Sequence, residues 1–368
     1  MNPTATTTSD PMVRWPAPLR QGDLIAVTAP SSGVAGAALR RLDLVLQHLR
    51  EQGYRVMEGQ CLRSDDKHVS AAATRRAAEL SAFLTDPEVA AIFPPWGGEL
   101  ATEVLDLLDF EGLRHLRPKW FMGYSDLSTI QLPLTLCAGW ATAHGPNLMD
   151  LAPTQTDPLT RAVPAVLGCD FSAASGPAIQ HASPRFQKKW IPFEVQVDAP
   201  FQLTEPAQWK RLDSSTDSLD IQGHLIGGCL DTIAWLAGTR YGDVPAFVRR
   251  AGPRGAIVYL ENVEMTPTAL VRCLLSLRRQ RWFEGIAGLL LGRSAAPEPA
   301  DAGHLTYVEA LRSALGDLRC PILYDVDIGH HPPQFTLING AFARVQFADG
   351  AGWIAQMPCA EGACGALG

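Results

Sequence analysis

The sequence predicts an α/β protein in which an N-terminal open, mostly parallel sheet flanked by helices is followed by a second α/β domain. Three observations carry that expectation. The chain has 368 residues, too long for one ordinary core, so two domains are expected. Short apolar runs alternate with segments of helical period through the first half, as β-α units do. Between residues 170 and 220 the alternation stops, and it then resumes to the end.

The first apolar run, residues 23–30, reads as a buried strand leading into a Ser-Ser-Gly loop. Leu39, Leu42, Val45, Leu46 and Leu49 then recur at helical spacing, and Gly53 supplies the left-handed stop. A short strand is expected at 54–57, an Ala-rich helix at 71–84 and a strand at 89–93. That strand ends in Pro94-Pro95-Trp96-Gly97-Gly98, and a helix at 99–108 follows. Residues 119–122 form the next strand, a helix covers 127–137, and 140–144 reads as one more strand. This is an arrangement of the flavodoxin/amidotransferase kind. Ligands of such sheets bind beyond the carboxyl ends of the strands, which is where Gly97, Gly98, Ser125 and His144 fall.

The polar, Pro-containing segment 170–220, with Phe186, Trp190, Phe193 and Trp209, reads as a crossover with a long loop able to lie over the site. The second half opens with a strand and double-Gly turn, residues 223–230, running into a helix at 230–237. A strand at 256–260 ends at Glu261, and Thr266-Pro267 start a helix in N-cap and first-turn positions. A strand at 286–291, a helix at 306–315 and a strand at 320–324 lead to Gly329-His330-His331-Pro332-Pro333-Gln334 and a closing β region, 335–347. The expected divisions are therefore a disordered start (1–21), an N-terminal domain (22–169), the crossover (170–220), a C-terminal domain (221–357) and a flexible tail (358–368).

Composition excludes several classes of function. The net charge of −7 is spread along the chain with no basic block, so nucleic acid is not an expected partner. Residues 1–21 are Thr- and Pro-rich and lack an apolar core, which predicts neither a signal peptide nor a membrane span and makes a cytoplasmic location the default. The eight cysteines form no C-x-x-C pair and suit reduced thiols. No spacing of His or Cys marks a metal site and no G-x-G-x-x-G marks a dinucleotide site, so no metal and no cofactor are expected.

The chemistry points to Gly123-Tyr124-Ser125-Asp126. A strand, a glycine turn and a helix start would lift the Ser125 hydroxyl above the sheet, with the first helical amides aimed at an oxyanion. A serine hydroxyl is a weak nucleophile at neutral pH and needs an imidazole, which in turn needs a carboxylate. His330, after a glycine, and Glu261, at a strand end, are the candidates. Spacing alone leaves the bland readings open, a solvent-facing Glu and a turn His. His331, His144 and His224 read as turn or edge residues, with His144 and His224 also able to line a cleft. Cys229, at a helix N-terminus, keeps a cysteine-hydrolase reading open.

With Gly22-Asp23 through Ala29-Pro30, Gly97-Gly98, Gly123-Tyr124-Ser125-Asp126, Gly227-Gly228-Cys229-Leu230, Glu261 and Gly329-His330 in this order, the sequence resembles the LD-carboxypeptidases (muramoyltetrapeptide carboxypeptidases) and their relatives, the microcin C immunity peptidases. The resemblance spans residues 22–347. It implies a serine peptidase with a triad of Ser125 as nucleophile, His330 as base and Glu261 orienting it. The implied oxyanion hole is the Asp126 amide with an amide of Gly97 or Gly98. Pro95-Trp96-Gly97-Gly98-Glu99 and the aromatic crossover lean toward the immunity-peptidase branch, which makes Trp96, Trp190 and Trp209 candidate substrate-binding residues. The expected substrate is a small peptide or peptidyl nucleotide, from muropeptide recycling or microcin immunity, and a homodimer is a family expectation. A catalytically inactive binding or sensor relative using the same cleft is the non-enzymatic alternative.

Overall fold

The computed structural model describes residues 12–171, 176–193, 195–297, 301 and 303–357. Two sheets organise them. The first has six strands in the order Leu337–Asn339, Thr142–His144, Trp120–Gly123, Val89–Ile92, Leu24–Val27 and Arg55–Glu58. The last five are mutually parallel, and Leu337–Asn339 runs antiparallel to Thr142–His144.

Side-chain alternation along these strands fixes their two faces. Ile25, Val27, Ala91, Trp120 and Met122 pack with Leu42, Val45, Leu46 and Leu49 of the helix Ala38–Glu51. Leu24, Ala26, Ile92 and Phe121 point the other way, toward Leu80 and Leu84 of the helix Ala73–Thr85 and Ile130 and Leu134 of the helix Ser128–Leu136. That second core continues without a break into Ile226, Val258, Leu260, Leu289 and Leu291 of the other sheet, so the two halves share one apolar interior.

The second sheet has eight strands. Leu219–Cys229, Ala256–Glu261, Gly288–Gly292 and Ile322–Val326 form its parallel centre. Phe342–Ala348, Ala351–Met357 and Ala178–His181 extend one side antiparallel, and Lys210–Arg211 closes the other. The helices Pro267–Arg279 and Tyr307–Leu315 start as their sequences predict. Thr266 accepts a bond from the Ala269 amide, and Thr306 with Glu309 forms a capping box.

Three expectations are corrected. Residues 12–21 are packed, with Val13 and Leu19 buried, Trp15 stacked on Phe171 at 4.8 Å and the Arg14 amide bonded to the Gly139 carbonyl; residues 1–11 lie outside the described residues. The crossover supplies edge strands to the second sheet at both ends, because its polar stretches alternate with residues that pair with free sheet edges. The C-terminal half returns Leu337–Asn339 to the first sheet, so the boundary in space does not follow the boundary in sequence. A further helix, Val244–Ala251, is one the sequence reading does not include; Asp243 accepts the Ala246 amide and Pro245 stands in the first turn, the ordinary signals of a helix start. The expected tail, 358–368, lies outside the described residues.

Candidate active site

The strand Trp120–Gly123 ends in a turn with unusual backbone geometry. Gly123 has φ +147, and a Cβ there would lie 2.6 Å from Asn147 Oδ1 and overlap Leu127 Cδ1. Ser125 itself has φ +65, a left-handed conformation that costs a non-glycine residue about 1–2 kcal/mol and persists only where the surroundings enforce it. They do so with hydrogen bonds. The Tyr124 amide donates to Asn147 Oδ1 at 3.1 Å, and Gln131 Nε2 donates to the carbonyls of Gly123 and Ala143 at 2.9 and 2.8 Å. A short 3-10 turn, Ser125–Leu127, then runs directly into the helix Ser128–Leu136.

Three groups from distant parts of the chain meet above this turn. His330 Nε2 lies 3.0 Å from Ser125 Oγ, and His330 Nδ1 lies 2.6 Å from Glu261 Oε2. Glu261 is the last residue of its strand and is buried, whereas His330 keeps a fifth of its side chain exposed. Burial pushes the Glu261 carboxyl up, but the imidazoles of His330 and His144 outweigh it and hold the group well below the usual carboxylate range. Burial pulls the His330 imidazole down, and the Glu261 carboxylate, helped by Asp231 and Asp150, more than reverses this, so its pKa lies above the ordinary value.

Gly97 meets the nucleophile from the other side. A Cβ on Gly97 would lie 2.7 Å from Ser125 Cβ and 2.9 Å from both Ser125 Oγ and the Asp126 nitrogen. Gly98 has φ +139 and abuts Ser31 and Ser32. The Asp126 carboxylate ties these loops together, accepting from Ser31 Oγ at 2.6 Å, the Ala101 amide at 2.7 Å and Thr129 Oγ1 at 3.1 Å.

Two family profiles match the chain: the LD-carboxypeptidase N-terminal domain over residues 25–145 and the LD-carboxypeptidase C-terminal domain over residues 222–345. The chain belongs to the LD-carboxypeptidase family of serine peptidases. Among similar curated proteins are the "Probable murein peptide carboxypeptidase" of Bacillus subtilis, 25% identical over 91% of this chain and 92% of that protein, and the microcin C7 self-immunity protein MccF of Escherichia coli, 22% identical over 90% and 92%. The fold is that of MccF bound to glutamyl sulfamoyl guanosine, with a TM-score of 0.79 at 21% identity over 95% of this chain and 100% of that one. An MccF-like protein of Bacillus anthracis is similar at a TM-score of 0.76, 21% identity, and 94% and 99% coverage.

Within this LD-carboxypeptidase fold the remaining candidates separate by position. His224 pairs with Ala256, at the strand end opposite the Cys229–Glu261 pair, and its Nδ1 lies 2.9 Å from the Gly340 carbonyl, so it does not reach the cleft. Cys229 stands beside Glu261 in register, but its thiol is buried and burial pushes it well above the ordinary value, which removes the cysteine-hydrolase reading. His331 packs on Phe186 at 5.6 Å, and burial beside Arg293 and Lys188 holds its imidazole down at about 4.

The three tryptophans have different fates. Trp190 is 42% exposed and meets Phe201 edge-on at 5.6 Å. Trp96 is half-buried and donates its indole N–H to the Gly33 carbonyl at 3.1 Å. Trp209, expected to bind substrate, is 1% exposed; its indole N–H donates to Asp327 Oδ2 at 2.7 Å, and its ring is committed to a separate apolar core with Leu225, Tyr259 and Phe335.

Several residues that the sequence did not single out support the site. Asp327 also accepts from Arg293 Nη1 at 2.9 Å, and Arg293 donates to the carbonyls of His331 and Pro333 at 2.8 and 2.7 Å, bracing the turn that carries His330. Arg41, buried under Phe193 at 4.8 Å, donates to the carbonyls of Met149, Val197 and Ala199 and pins the crossover arm. The Gln187 amide donates to the Pro332 carbonyl at 2.7 Å, which brings the start of that arm against the His330 turn. The Gly-His-His-Pro-Pro run hinted at a braced turn, but no local signal pairs Arg293 with Asp327. No helix of the described residues is long and apolar enough to cross a membrane.

Proposed function

We propose that the protein is a serine carboxypeptidase-type hydrolase that cleaves a C-terminal amide through an acyl-enzyme. The observation that carries this reading is His330 standing between Ser125 Oγ at 3.0 Å and Glu261 Oε2 at 2.6 Å. His330 Nε2 takes the Ser125 proton as Oγ adds to the amide carbon. Glu261 holds the Nδ1–H tautomer and stabilises the imidazolium. The oxyanion that forms accepts hydrogen bonds from the Asp126 amide and an amide of the Gly97-Gly98 turn, in the space that a side chain on Gly97 would fill. His330 then returns the proton to the leaving amine. Water, activated by the same imidazole, frees the acyl group and restores Ser125.

We favour a peptidyl-nucleotide amide as substrate, with the L,D-peptide bond of a muropeptide as the other reading. Trp190, exposed on the arm beside the His330 turn, offers an aromatic face to a base, and Trp96 lines the neighbouring loop. MccF structures with aminoacyl sulfamoyl nucleosides support this choice. Incubation of the purified protein with an aminoacyl-sulfamoyl adenosine and with an L,D-tetrapeptide, followed by mass spectrometry, tests it. Cleavage of the first alone is expected; cleavage of only the tetrapeptide would transfer the substrate to the second reading, and cleavage of neither would favour a binding protein.

A further inference from the structure

His144 is the least explained polar residue near the site. Its side chain has no solvent exposure, and neither ring nitrogen has a hydrogen-bond partner among the described residues. An unsatisfied buried donor or acceptor costs about 1–3 kcal/mol, so a core position filled only for shape would favour Phe. The oxygen that His144 faces is as poorly served as itself. Glu261 Oε1 is buried and also lacks a hydrogen-bond partner, and it lies 3.6 Å from His144 Nε2.

The fold makes this meeting specific. His144 ends the strand Thr142–His144, in register with Gly123 of the nucleophile strand. Glu261 ends its strand in the other sheet. The carboxyl ends of two sheets thus converge on one carboxylate, with His330 at Oε2 and His144 at Oε1. Tyr259 and Tyr124 hold the His144 ring edge-on at 5.3 and 6.4 Å, which limits its rotation.

We propose that His144 is a positioning residue for the reaction: its Nε2–H, 3.6 Å from Glu261 Oε1 in this structure, closes onto that oxygen as a donor, so the carboxylate cannot turn and keeps Oε2 on His330 Nδ1. This rests on the triad reading above. The donated proton also draws charge from the carboxylate and so tempers its hold on the His330 proton. The other titratable groups around this carboxylate and its imidazole are Cys229 on the adjacent strand, Tyr259 on its own strand, Tyr124 from the elbow, and Asp150 and Asp231 beside His330. None of them hydrogen-bonds to Oε1.

The test pairs His144→Phe, which keeps a ring and removes the donor, with His144→Gln, whose amide nitrogen occupies the place of Nε2. With whichever probe the wild type cleaves, the aminoacyl-sulfamoyl adenosine or the L,D-tetrapeptide, His144→Phe should lower kcat by about tenfold or more, the size of one hydrogen bond to a charged group, with KM little changed. Loss of the donor leaves more charge on Glu261, strengthens its hold on the His330 proton and moves the acidic limb of kcat/KM to higher pH. His144→Gln should restore the limb. A residue that only packs would lower the melting temperature of both variants without moving the limb, and that result overturns the proposal. Nitrogen-15 spectra of histidine-labelled wild type, and of Ser125→Ala, should find His144 as the Nε2–H tautomer. An Nδ1–H tautomer overturns the proposal even if no probe is cleaved, so its failure is distinct from failure of the triad reading, which Ser125→Ala kinetics report.

Discussion

A Cβ on Gly329 would sit 2.8 Å from both Cβ and Cδ of Glu261 and run into its Oε2. With φ +94 at this residue, the glycine is what lets the His330 turn close down onto the strand-end carboxylate. Gly329→Ala must therefore push the turn and the imidazole away from Glu261. A displacement near 1 Å in a catalytic group costs on the order of 10²-fold in rate. Steady-state kinetics of Gly329→Ala should return a kcat reduced by about that factor; an unchanged kcat would mean that the turn has slack the geometry does not reveal.

Ser125 combines the nucleophile position with a strained backbone. Replacing it by Ala should reduce turnover by roughly 10⁴- to 10⁶-fold. The left-handed conformation adds a second expectation that concerns stability alone. Glycine adopts φ +65 without the Cβ penalty, so Ser125→Gly should be about 1 kcal/mol more stable than Ser125→Ala, less what glycine loses through a freer unfolded chain. Both should be inactive. Urea denaturation of the two variants checks the ordering, and an Ala variant as stable as Gly would argue that the elbow relaxes in solution.

The acid side of the pH profile follows from the electrostatics of His330. A general base works only when neutral, and protonation below its pKa stops it. Burial lowers this pKa, the Glu261 carboxylate raises it, and the balance is a rise above 6.5. The acidic limb of kcat/KM should then have its midpoint above pH 6.5. Glu261→Gln removes the raising charge, so the limb should move to lower pH while the rate falls by about 10⁴-fold, as when a triad loses its carboxylate. A limb that stays put in Glu261→Gln would assign it to another group.

How much of this was legible depended on whether the signal was local. The Gly123-Tyr124-Ser125-Asp126 turn after a buried strand, Glu261 at the last residue of another and Gly329-His330 after a third all announce strand ends by composition, and the fold puts them on one side. Trp209 is not placed by the sequence, because an aromatic in a polar segment carries no mark of which surface it will cover, and the next two residues, Lys210–Arg211, form an edge strand. The excursion of Leu337–Asn339 into the first sheet was illegible for the same reason: strand pairing over such distances is set by tertiary packing. From sequence His144 reads as able to line the cleft, but its orphaned nitrogens and the distance of Nε2 to Glu261 exist only in three dimensions.

The buried pair Arg293–Asp327 shows what holds the base turn in place. Asp327 is fully buried and its carboxylate has three donors, Arg293 Nη1 at 2.9 Å, the Trp209 indole at 2.7 Å and the Ser183 amide at 3.4 Å. Burial nevertheless leaves its pKa raised, so the charge is only partly compensated. Arg293→Met would strand that charge and release the His331 and Pro333 carbonyls together. Breaking one side of a buried pair destabilises by about 3–5 kcal/mol. Arg293→Met in combination with Asp327→Asn keeps an acceptor for Trp209 and removes the stranded charge, so stability should recover in large part. The carbonyls stay unbraced in both variants, so kcat should remain low in the double variant even where stability returns. Denaturation and kinetics on the same three proteins separate the two roles: recovery of both together would mean that Arg293 serves the fold alone and leaves His330 to be aimed by Glu261 and Gly329.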